Sequence, residues 1–372
     1  MNRKKIILLL LILGFSILFS LNTTAQNLKI HFIDVGQGDS ILIEEADGQK
    51  ILVDGGDRSN QITAEIINYL KDQKVKKLDY IISTHPHADH IGGLVDIIDS
   101  FEVENVLDSG KIHSSKTYEN YLIKIDRENI NFETPREGDK LKLGQSEIIF
   151  LHPDQKIDQY DLNNSSLVFV LKFFQHKFLF TGDIEKEIES ELLQKNPELK
   201  VNLIKVPHHG SRSSSSAEWI SKLKPEVAVI QVGADNHYGH PAAEVIELYQ
   251  NEGARVYRND LNGDIVITTD GSNYTVKVEK SSKNIKSGVE NSARPKNSSS
   301  KTAASNQSNL ININTADSST LDQLWGVGPA TAKNIIDYRD KYGDFKQAEE
   351  IKNVDGIDEG KFGRWRDKIK VK

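Results

Sequence analysis

The chain has 372 residues, contains no cysteine and carries a formal net charge of −7. Its length suggests two or three domains. The missing cysteines exclude a disulfide framework, a thiolate metal site and a cysteine-linked lipid anchor. Charge is unevenly distributed, because residues 27–279 carry −15 whereas residues 280–308 carry +5. A body this acidic is not typical of a protein whose whole surface attracts nucleic acid.

Residues 1–26 have the pattern of a secretory signal peptide. A basic start at residues 3–5 precedes an apolar run at 6–21, and residues 23–25 are small or polar. This order of basic, apolar and small residues marks a cleavable export signal. We therefore expect a bacterial protein that is secreted or held at the cell surface, without a membrane span in the mature chain. An uncleaved N-terminal anchor is the alternative.

From residue 28 onward, short apolar runs alternate with turn signals. The runs predict strands at residues 28–35, 40–44, 50–53, 78–84, 148–151, 166–174, 177–181, 201–206, 227–232, 254–257 and 264–268. Apolar spacings of three and four predict helices at residues 61–70, 91–98, 184–194 and 242–250. The pattern predicts one α+β domain over residues 27–279, in which helices cover mixed sheets.

The remainder of the chain divides into a linker and a small domain. Residues 280–308 are rich in Ser, Lys and Asn and nearly free of large apolar side chains, which predicts a disordered linker. Residues 309–372 contain two successive helix–turn–helix patterns. They predict a compact all-α domain.

A histidine-rich loop follows the strand predicted at residues 78–84. It places His85, His87, Asp89 and His90 within six positions. Imidazole and carboxylate groups are ligands for zinc and similar metals, so this loop predicts a metal site. Asp54 also ends a strand, and its carboxylate can hold a ligating imidazole in one tautomer. Other strands end in further candidate ligands: Asp183, His208, His209 and His240.

Five motifs in order give these residues a family resemblance. They read FIDVGQGDS at residues 32–40, THPHADHIGG at 84–93, TGD at 181–183, PHHGS at 207–211 and YGHP at 238–241. Residues 28–279 thus resemble a metallo-β-lactamase-fold hydrolase of the ComEC competence-protein type. The resemblance implies an αβ/βα sandwich with two metal ions in a cleft between the sheets.

The resemblance also implies a ligand set. One ion is expected on His85, His87 and Asp183, and the other on Asp89, His90, Asp183 and His240. The supporting residues expected behind these ligands are Asp39, Asp54 and Asn164.

One position departs from the broader superfamily. A histidine ligand usually precedes the bridging aspartate, but here that place is taken by Asn164. The first ion is left one protein donor short, and His208 or His209 can supply it. Alternatively, this histidine pair binds a phosphate oxygen or protonates a leaving group.

The expected chemistry is hydrolysis. Two neighbouring metal ions lower the pKa of a bound water and neutralise the oxygens of the attacked group. Asp89 can bind a metal and accept a proton from that water. The histidine-rich set favours Zn²⁺, and Mn²⁺ is the alternative. The sequence contains neither a Ser-His-Asp pattern nor a phosphate-binding P-loop that would indicate a covalent route.

Residues 309–372 resemble the helix-hairpin-helix domain of the ComEA DNA receptors. The matching residues read ININT at 311–315, GVGP at 326–329 and VDGI at 354–357. The resemblance implies non-specific binding of the DNA backbone, through the amides of a glycine turn and nearby side chains. The expected DNA contacts are Gly326, Val327, Gly328, Thr331 and Lys333. The second hairpin carries Asp358 where a glycine is expected, and the domain has zero net charge, so a structural or interaction module is the alternative.

Together these features predict a secreted, metal-dependent phosphodiesterase, foremost a DNase that cuts DNA with metal-activated hydroxide while the tail tethers the substrate. Three alternatives stay open. The enzyme can hydrolyse another phosphoester, such as a cell-wall or phosphorylcholine diester, or it can be a β-lactamase. The metal domain can also be purely structural in a DNA-binding surface protein.

Overall fold

A computed structural model describes two parts of the chain. The first covers residues 27–280 except 235, and the second covers 310–371 with gaps at 317–320, 322–323, 325–328, 355–356, 358–361, 364 and 367. The predicted signal peptide and nearly all of the predicted linker lie outside the described residues. Within the two described parts, no helix combines the length and the hydrophobicity that a membrane crossing requires.

Two mixed sheets form the main body. The first sheet has eight strands, which run from one edge to the other in the order Tyr274–Val278 (β15), Ile265–Thr269 (β14), Leu28–Phe32 (β1), Ile41–Glu44 (β2), Lys50–Val53 (β3), Lys77–Ser83 (β4), Glu102–Asp108 (β5) and Asn131–Glu133 (β6). The second has seven: Arg255–Arg258 (β13), Val227–Ile230 (β12), Leu203–Lys205 (β11), His176–Phe180 (β10), Val168–Phe173 (β9), Ser146–His152 (β8) and Lys140–Leu143 (β7). Each sheet joins an antiparallel half to a parallel half.

The sheets pack face to face around an apolar core. Phe32 from the first sheet stacks on Phe180 from the second at 6.4 Å between ring centroids, and Phe180 stacks on Phe169 at 4.8 Å. All three rings are buried. Aromatic rings of this size remove a large apolar area from water, so this contact holds the two sheets together.

Helices cover the outer face of each sheet. The first layer of helices is Asn60–Asp72 (α1), Ala88–Ile91 (α2), Leu94–Ser100 (α3) and Lys116–Arg127 (α4). The second layer is Lys186–Lys195 (α5), Ala217–Leu223 (α6) and Ala243–Asn251 (α7), and a short turn of helix, Asn259–Asn262 (α8), precedes β14. In α1, Ile66 and Leu70 are buried one turn apart, and the hydroxyl of Ser59 caps the first turn. The predicted αβ/βα sandwich is confirmed.

The structure differs from the predicted elements in two places. The helix expected at residues 91–98 is divided between α2 and α3 at Gly92 and Gly93. A Cβ at Gly92 would overlap the backbone of Arg58 and Ala88, so the break allows two segments to approach closely. The sequence pattern predicts no element at residues 101–147, yet these residues form β5, α4, β6 and β7.

The C-terminal tail is built around its own core. The longest helix among its described residues is Pro329–Tyr342 (α9), and Ile335, Phe362 and Trp365 are buried in the same cluster. The all-α prediction omitted one feature. Residues Ile311–Asn312 (β16) pair in parallel with Ile369–Lys370 (β17), so the two ends of the domain are joined.

Candidate metal centre

The parallel strands position the candidate ligands along one edge. Asp54 follows β3, His85 follows β4, Asp183 follows β10 and His209 follows β11. Ligands in sheets of this kind collect outside the carboxyl ends of the strands. The fold therefore brings together residues that lie more than a hundred positions apart in the sequence.

His90 is the most tightly held of these residues. Its ring is fully buried, with Nδ1 2.8 Å from Asp54 Oδ2 and Nε2 3.2 Å from Asp183 Oδ2. Asp54 in turn accepts hydrogen bonds from the backbone N–H and the hydroxyl of Thr84, at 2.8 and 2.7 Å. Because Nδ1–H donates to Asp54, Nε2 faces Asp183 and is the nitrogen that can bind a metal once it has lost its proton. This is the arrangement of a metal-ligating histidine whose tautomer is fixed by a carboxylate.

His209 completes a group of four. Its Nε2 lies 3.2 Å from Asp183 Oδ2 and 3.4 Å from Asp89 Oδ2, and its Nδ1 donates to the backbone oxygen of Gln231 at 2.9 Å. His208 and His209 both have left-handed backbone conformations, with φ values of 48° and 51°. Two successive non-glycine residues in this region store strain, which occurs mostly at functional sites. One ligand atom from each of four residues falls within 4.8 Å of the others: Asp89, His90, Asp183 and His209.

His85 and His87 form a second, adjoining pair. His85 Nε2 and His87 Nδ1 are 3.0 Å apart, and the rings of His85 and His90 are 4.1 Å apart between centroids. Two imidazole nitrogens at this separation can share one ion. Burial lowers the pKa of His85 well below its usual range, so this ring is neutral and able to act as a ligand.

A buried lysine that the sequence analysis did not single out lies beside the cluster. Lys205 is 1% exposed, and its Nζ contacts Asp39 Oδ2 and lies 3.4 Å from Asp183 Oδ1. It also donates to the backbone oxygen of Gly182 at 3.1 Å. A charged residue inside an otherwise apolar strand was the available signal, since a buried ammonium group requires anionic partners.

The electrostatics of the cluster are dominated by its carboxylates. Although burial opposes charge, His209 and His90 hold the pKa of Asp183 well below its usual range. Burial likewise opposes the charged form of His209, but Asp183 raises its pKa to about 10. The Asp183 carboxylate is therefore ionised and surrounded by cationic groups. A divalent ion competes with the ring protons for these sites, because imidazole binds metal only in its neutral form.

The remaining predicted residues lie close to the cluster but outside the group of four. His208 Nδ1 is 3.3 Å from Glu185 Oε1, and the ring of His208 is 5.6 Å from the ring of His240. Asn164 accepts a hydrogen bond from the backbone N–H of Glu185 at 2.9 Å, so it braces the turn after Asp183. The structure thus places His209 beside Asp89, His90 and Asp183, where the sequence analysis expected His240.

One further histidine was missed. His113 lies on the loop after β5, and its ring is 6.5 Å from that of His87. Its Nδ1 is buried and has no hydrogen-bond partner among residues 27–280 or the described part of the tail. A lone histidine in a polar loop gave no signal of this proximity, because β5 itself was not predicted.

The residues present fit a metal ion. Nε2 of His209 is buried and makes no well-aligned hydrogen bond, although two carboxylates lie within 3.4 Å. This imidazole nitrogen and the converging oxygens of Asp89 and Asp183 form a suitable set of N and O donors for zinc or manganese.

A sandwich of two mixed sheets with a His/Asp metal cluster at its edge defines a metal-dependent hydrolase of the metallo-β-lactamase type. The sequence profile described as "Metallo-beta-lactamase superfamily" matches residues 33–233, and the chain belongs to this superfamily. Residues 306–370 match the profile described as "Helix-hairpin-helix motif".

Curated relatives confirm the resemblance to competence proteins. The chain is 32% identical over 252 residues to "ComE operon protein 3" of Bacillus subtilis, an alignment that covers 64% of this chain and 32% of the relative. It is 27% identical over 237 residues to "Competence protein ComA" of Neisseria gonorrhoeae, covering 62% of this chain and 30% of the relative. The tail is 44% identical over 63 residues to "ComE operon protein 1" of B. subtilis, covering 17% of this chain and 31% of the relative. The chain thus spans about a third of the length of these relatives.

The predicted DNA contacts of the tail are only partly described. Gly326, Val327 and Gly328 lie outside the described residues, as does Asp358. Thr331 is half-buried on α9, and Lys333 belongs to the same helix. The assignment of these five residues to DNA stays a prediction.

Proposed function

We propose that this protein is an exported metal-dependent DNase whose tail holds DNA near the catalytic domain. The observation that carries the proposal is the largely buried group of Asp89, His90, Asp183 and His209, whose ligand atoms lie within 4.8 Å of one another. The helix-hairpin-helix match and the competence-protein relatives support DNA as the substrate. The proposed division is a signal peptide at residues 1–26, the hydrolase at 27–279, a linker at 280–308 and the tail at 309–372.

The ligand assignment is part of the proposal. One ion would be held by Asp89, His90, Asp183 and His209, and a second by His85 and His87 together with Asp183. His240 stays a candidate ligand, since its ring lies 5.6 Å from that of His208, beside the cluster. Zn²⁺ is favoured by the histidine content, with Mn²⁺ as the alternative. When bound, these ions activate water and neutralise charge on the phosphate.

Side chains around this centre can accept the proton of the water and donate a hydrogen bond to the phosphate. Asp89 is the most exposed of the four clustered residues, with 31% of its side chain accessible, so it meets both solvent and substrate. Its carboxylate can accept the proton of the attacking water. His208 is partly exposed and is oriented by Glu185, so it can donate a hydrogen bond to a phosphate oxygen or to the departing oxygen.

The catalytic proposal is tested with the chain from residue 27, incubated with linear and circular DNA and either Zn²⁺ or Mn²⁺. We expect metal-dependent cleavage that is lost in the double variant Asp89→Ala/His90→Ala. The control is Asp99→Asn, an exposed carboxylate on α3 that pairs with Lys124, which should cleave like the wild type. Turnover of a small phosphodiester without any DNA cleavage would reject the DNase proposal and favour a different phosphoester.

The role of the tail is tested separately. Residues 27–279 are compared with residues 27–372 in a gel-shift assay and in cleavage of long DNA at low concentration. A tether raises the effective concentration of the substrate without changing the catalytic site. We expect weaker retention and slower cleavage without the tail. Equal retention by the two proteins would contradict DNA tethering and leave the tail as an interaction module.

A further inference from the structure

An exposed aromatic ring stands beside the candidate metal centre. Tyr238 is 69% exposed, and its ring stacks on that of His240, with 5.8 Å between centroids and 19° between planes. The inner face of the tyrosine is therefore supported by a second ring. Its outer face is free to accept another planar group, and aromatic platforms of this kind bind nucleobases by stacking.

The loop that carries Tyr238 is held in place by one side chain. Asn236 Oδ1 accepts hydrogen bonds from the backbone N–H groups of Tyr238 and His240, both at 3.1 Å. Its Nδ2 donates to the backbone oxygens of Gly233 and His240, at 2.8 and 2.6 Å. The position of the ring is thus fixed before any ligand arrives, which reduces the entropy lost on binding.

Tyr238 forms part of the rim of a cavity that reaches the metal centre. The cavity has a volume of about 570 Å³, within the usual range for small-molecule sites, and Asp89 also lines it. Its polar lining includes Gln37 and Asp57. A group bound in this cavity therefore lies directly beside the residue that we place at the reacting phosphate.

The lining of the cavity suits the edge of a base better than a phosphate. Asp34 is paired with Lys280 at 3.0 Å, and Asp260 is paired with Arg258, with Nε 3.0 Å from Oδ1. Carboxylate and amide oxygens accept hydrogen bonds from the amino groups of cytosine, adenine and guanine. Lys280, which lines the cavity, is already paired with Asp34 and is not free to neutralise a phosphate, whereas the amino group on the edge of a neutral base can donate to the lining oxygens.

We propose that this cavity receives one unpaired nucleobase, stacked on Tyr238, and that the enzyme therefore prefers single-stranded DNA. The inference rests on the proposed nuclease function and specifies its substrate. A base within a duplex has both faces stacked and its edge paired, so it must be extruded before it can occupy the cavity. A base in a single strand enters without that cost.

The experiment compares three phosphodiester substrates, in which the base is unpaired, paired or absent. The chain from residue 27 is assayed with a single-stranded oligonucleotide, with the same sequence as a duplex, and with methyl p-nitrophenyl phosphate, which contains no nucleobase. We expect at least tenfold faster cleavage of the single strand than of the duplex. In Tyr238→Ala, the ratio of kcat/KM for the single strand to that for methyl p-nitrophenyl phosphate should fall about tenfold to a hundredfold. Tyr238→Phe, which keeps the ring, should preserve the ratio.

A matched control is Phe174→Ala. Phe174 is 63% exposed in the turn between β9 and β10 and does not line the cavity, so its removal should leave the ratio unchanged. Equal cleavage of single strand and duplex, or an unchanged ratio in Tyr238→Ala, would overturn the base subsite while the DNase function stands. The ratio also stays unchanged if Tyr238→Ala loses activity equally on both diesters, and the ring would then have only a structural role.

A second readout separates the two proposals. Deoxycytidine monophosphate should inhibit hydrolysis of methyl p-nitrophenyl phosphate by the wild type, and at least tenfold less strongly in Tyr238→Ala. If DNA is not cut but this inhibition is found, the base subsite is supported and the DNase function is rejected. Absence of both DNA cleavage and inhibition would reject both.

Discussion

At the scale of single residues, the site depends on buried side chains that position the candidate metal ligands. Asp54 has no route to a substrate, because it is fully buried behind His90. Its role is to fix which nitrogen of the His90 ring carries the proton. Lys205 similarly acts on Asp39 and Asp183 rather than on solvent.

The first prediction concerns Asp54→Asn. The amide keeps the shape of the side chain but no longer imposes one tautomer on His90, so metal affinity should fall about tenfold to a hundredfold. Competition with a chromophoric zinc chelator measures this directly. Asp126→Asn, an exposed carboxylate on α4, is the control. Unchanged affinity in Asp54→Asn would show that the buried hydrogen bond does not support a ligand.

A second prediction concerns Lys205→Met. The change leaves the carboxylates of Asp39 and Asp183 buried without their ammonium partner, which should lower the free energy of unfolding by about 3–5 kcal/mol. The measurement is urea unfolding in the presence of EDTA. Saturating Zn²⁺ should recover part of the loss, because a metal ion also neutralises Asp183. Lys177→Met, a half-buried lysine on β10, serves as the reference, and an equal effect there would contradict the argument.

At the scale of elements, the loop between β1 and β2 packs directly on the histidine-rich loop at residues 85–90. The backbone N–H of Asp39 donates to the backbone oxygen of Asp89 at 3.2 Å. Gly38 has a φ of 127°, and a Cβ at this position would overlap that same oxygen. A side chain at Gly38 would therefore displace the backbone of Asp89.

A pair of variants tests this effect. Gly36 also has a positive φ, of 67°, but a Cβ there would meet no atom within 4 Å. Gly36→Ala should cost only the backbone penalty, about 1 kcal/mol, whereas Gly38→Ala should cost more and also weaken metal binding through Asp89. Urea unfolding and metal titration of both proteins provide the comparison. Equal effects on metal affinity would show that the contact with Asp89 is unimportant.

The elements also show which features of the fold and of the site can be predicted from the sequence. Strand ends that carry His or Asp were recognisable, because apolar runs followed by polar motifs are local features. Which of the later histidines lies beside Asp183 was not recognisable, because it depends on the left-handed turn at His208 and His209. The segment with β5 to β7 was missed because its strands are edge strands or amphipathic, and much of their surface is exposed. His113 was missed with it.

At the scale of the whole molecule, the stability of the body should depend on pH through a carboxyl group outside the metal centre. Burial raises the pKa of Glu45, beside Ser146, to about 7. The fold therefore favours the protonated form of a group that has a pKa of about 4.5 when unfolded. Its contribution is fully present below pH 4.5 and is lost as the pH rises through 7.

The corresponding prediction uses Glu45→Gln. The wild type should lose up to about 3 kcal/mol in free energy of unfolding between about pH 5 and pH 8 relative to this variant, which has no proton to lose there. Urea unfolding at each pH gives the difference curve. Glu65→Gln, on the exposed face of α1, is the control. Parallel curves for wild type and Glu45→Gln would show that another group titrates.

The pairing of β16 with β17 has a consequence for engineering the tail. Asn314 strengthens this closure, because its Nδ2 donates to the backbone oxygens of Phe345 and Val371, at 2.9 and 3.1 Å. The first and last described residues of the domain therefore lie side by side, a geometry that suits circular permutation. A permutant that joins residue 371 to residue 310 through a short glycine linker, and opens at the exposed Gly343, should retain the fold. A dye attached near residue 371 would likewise sit beside residue 310, so its signal would report on that end of the domain rather than on the residues proposed to contact DNA.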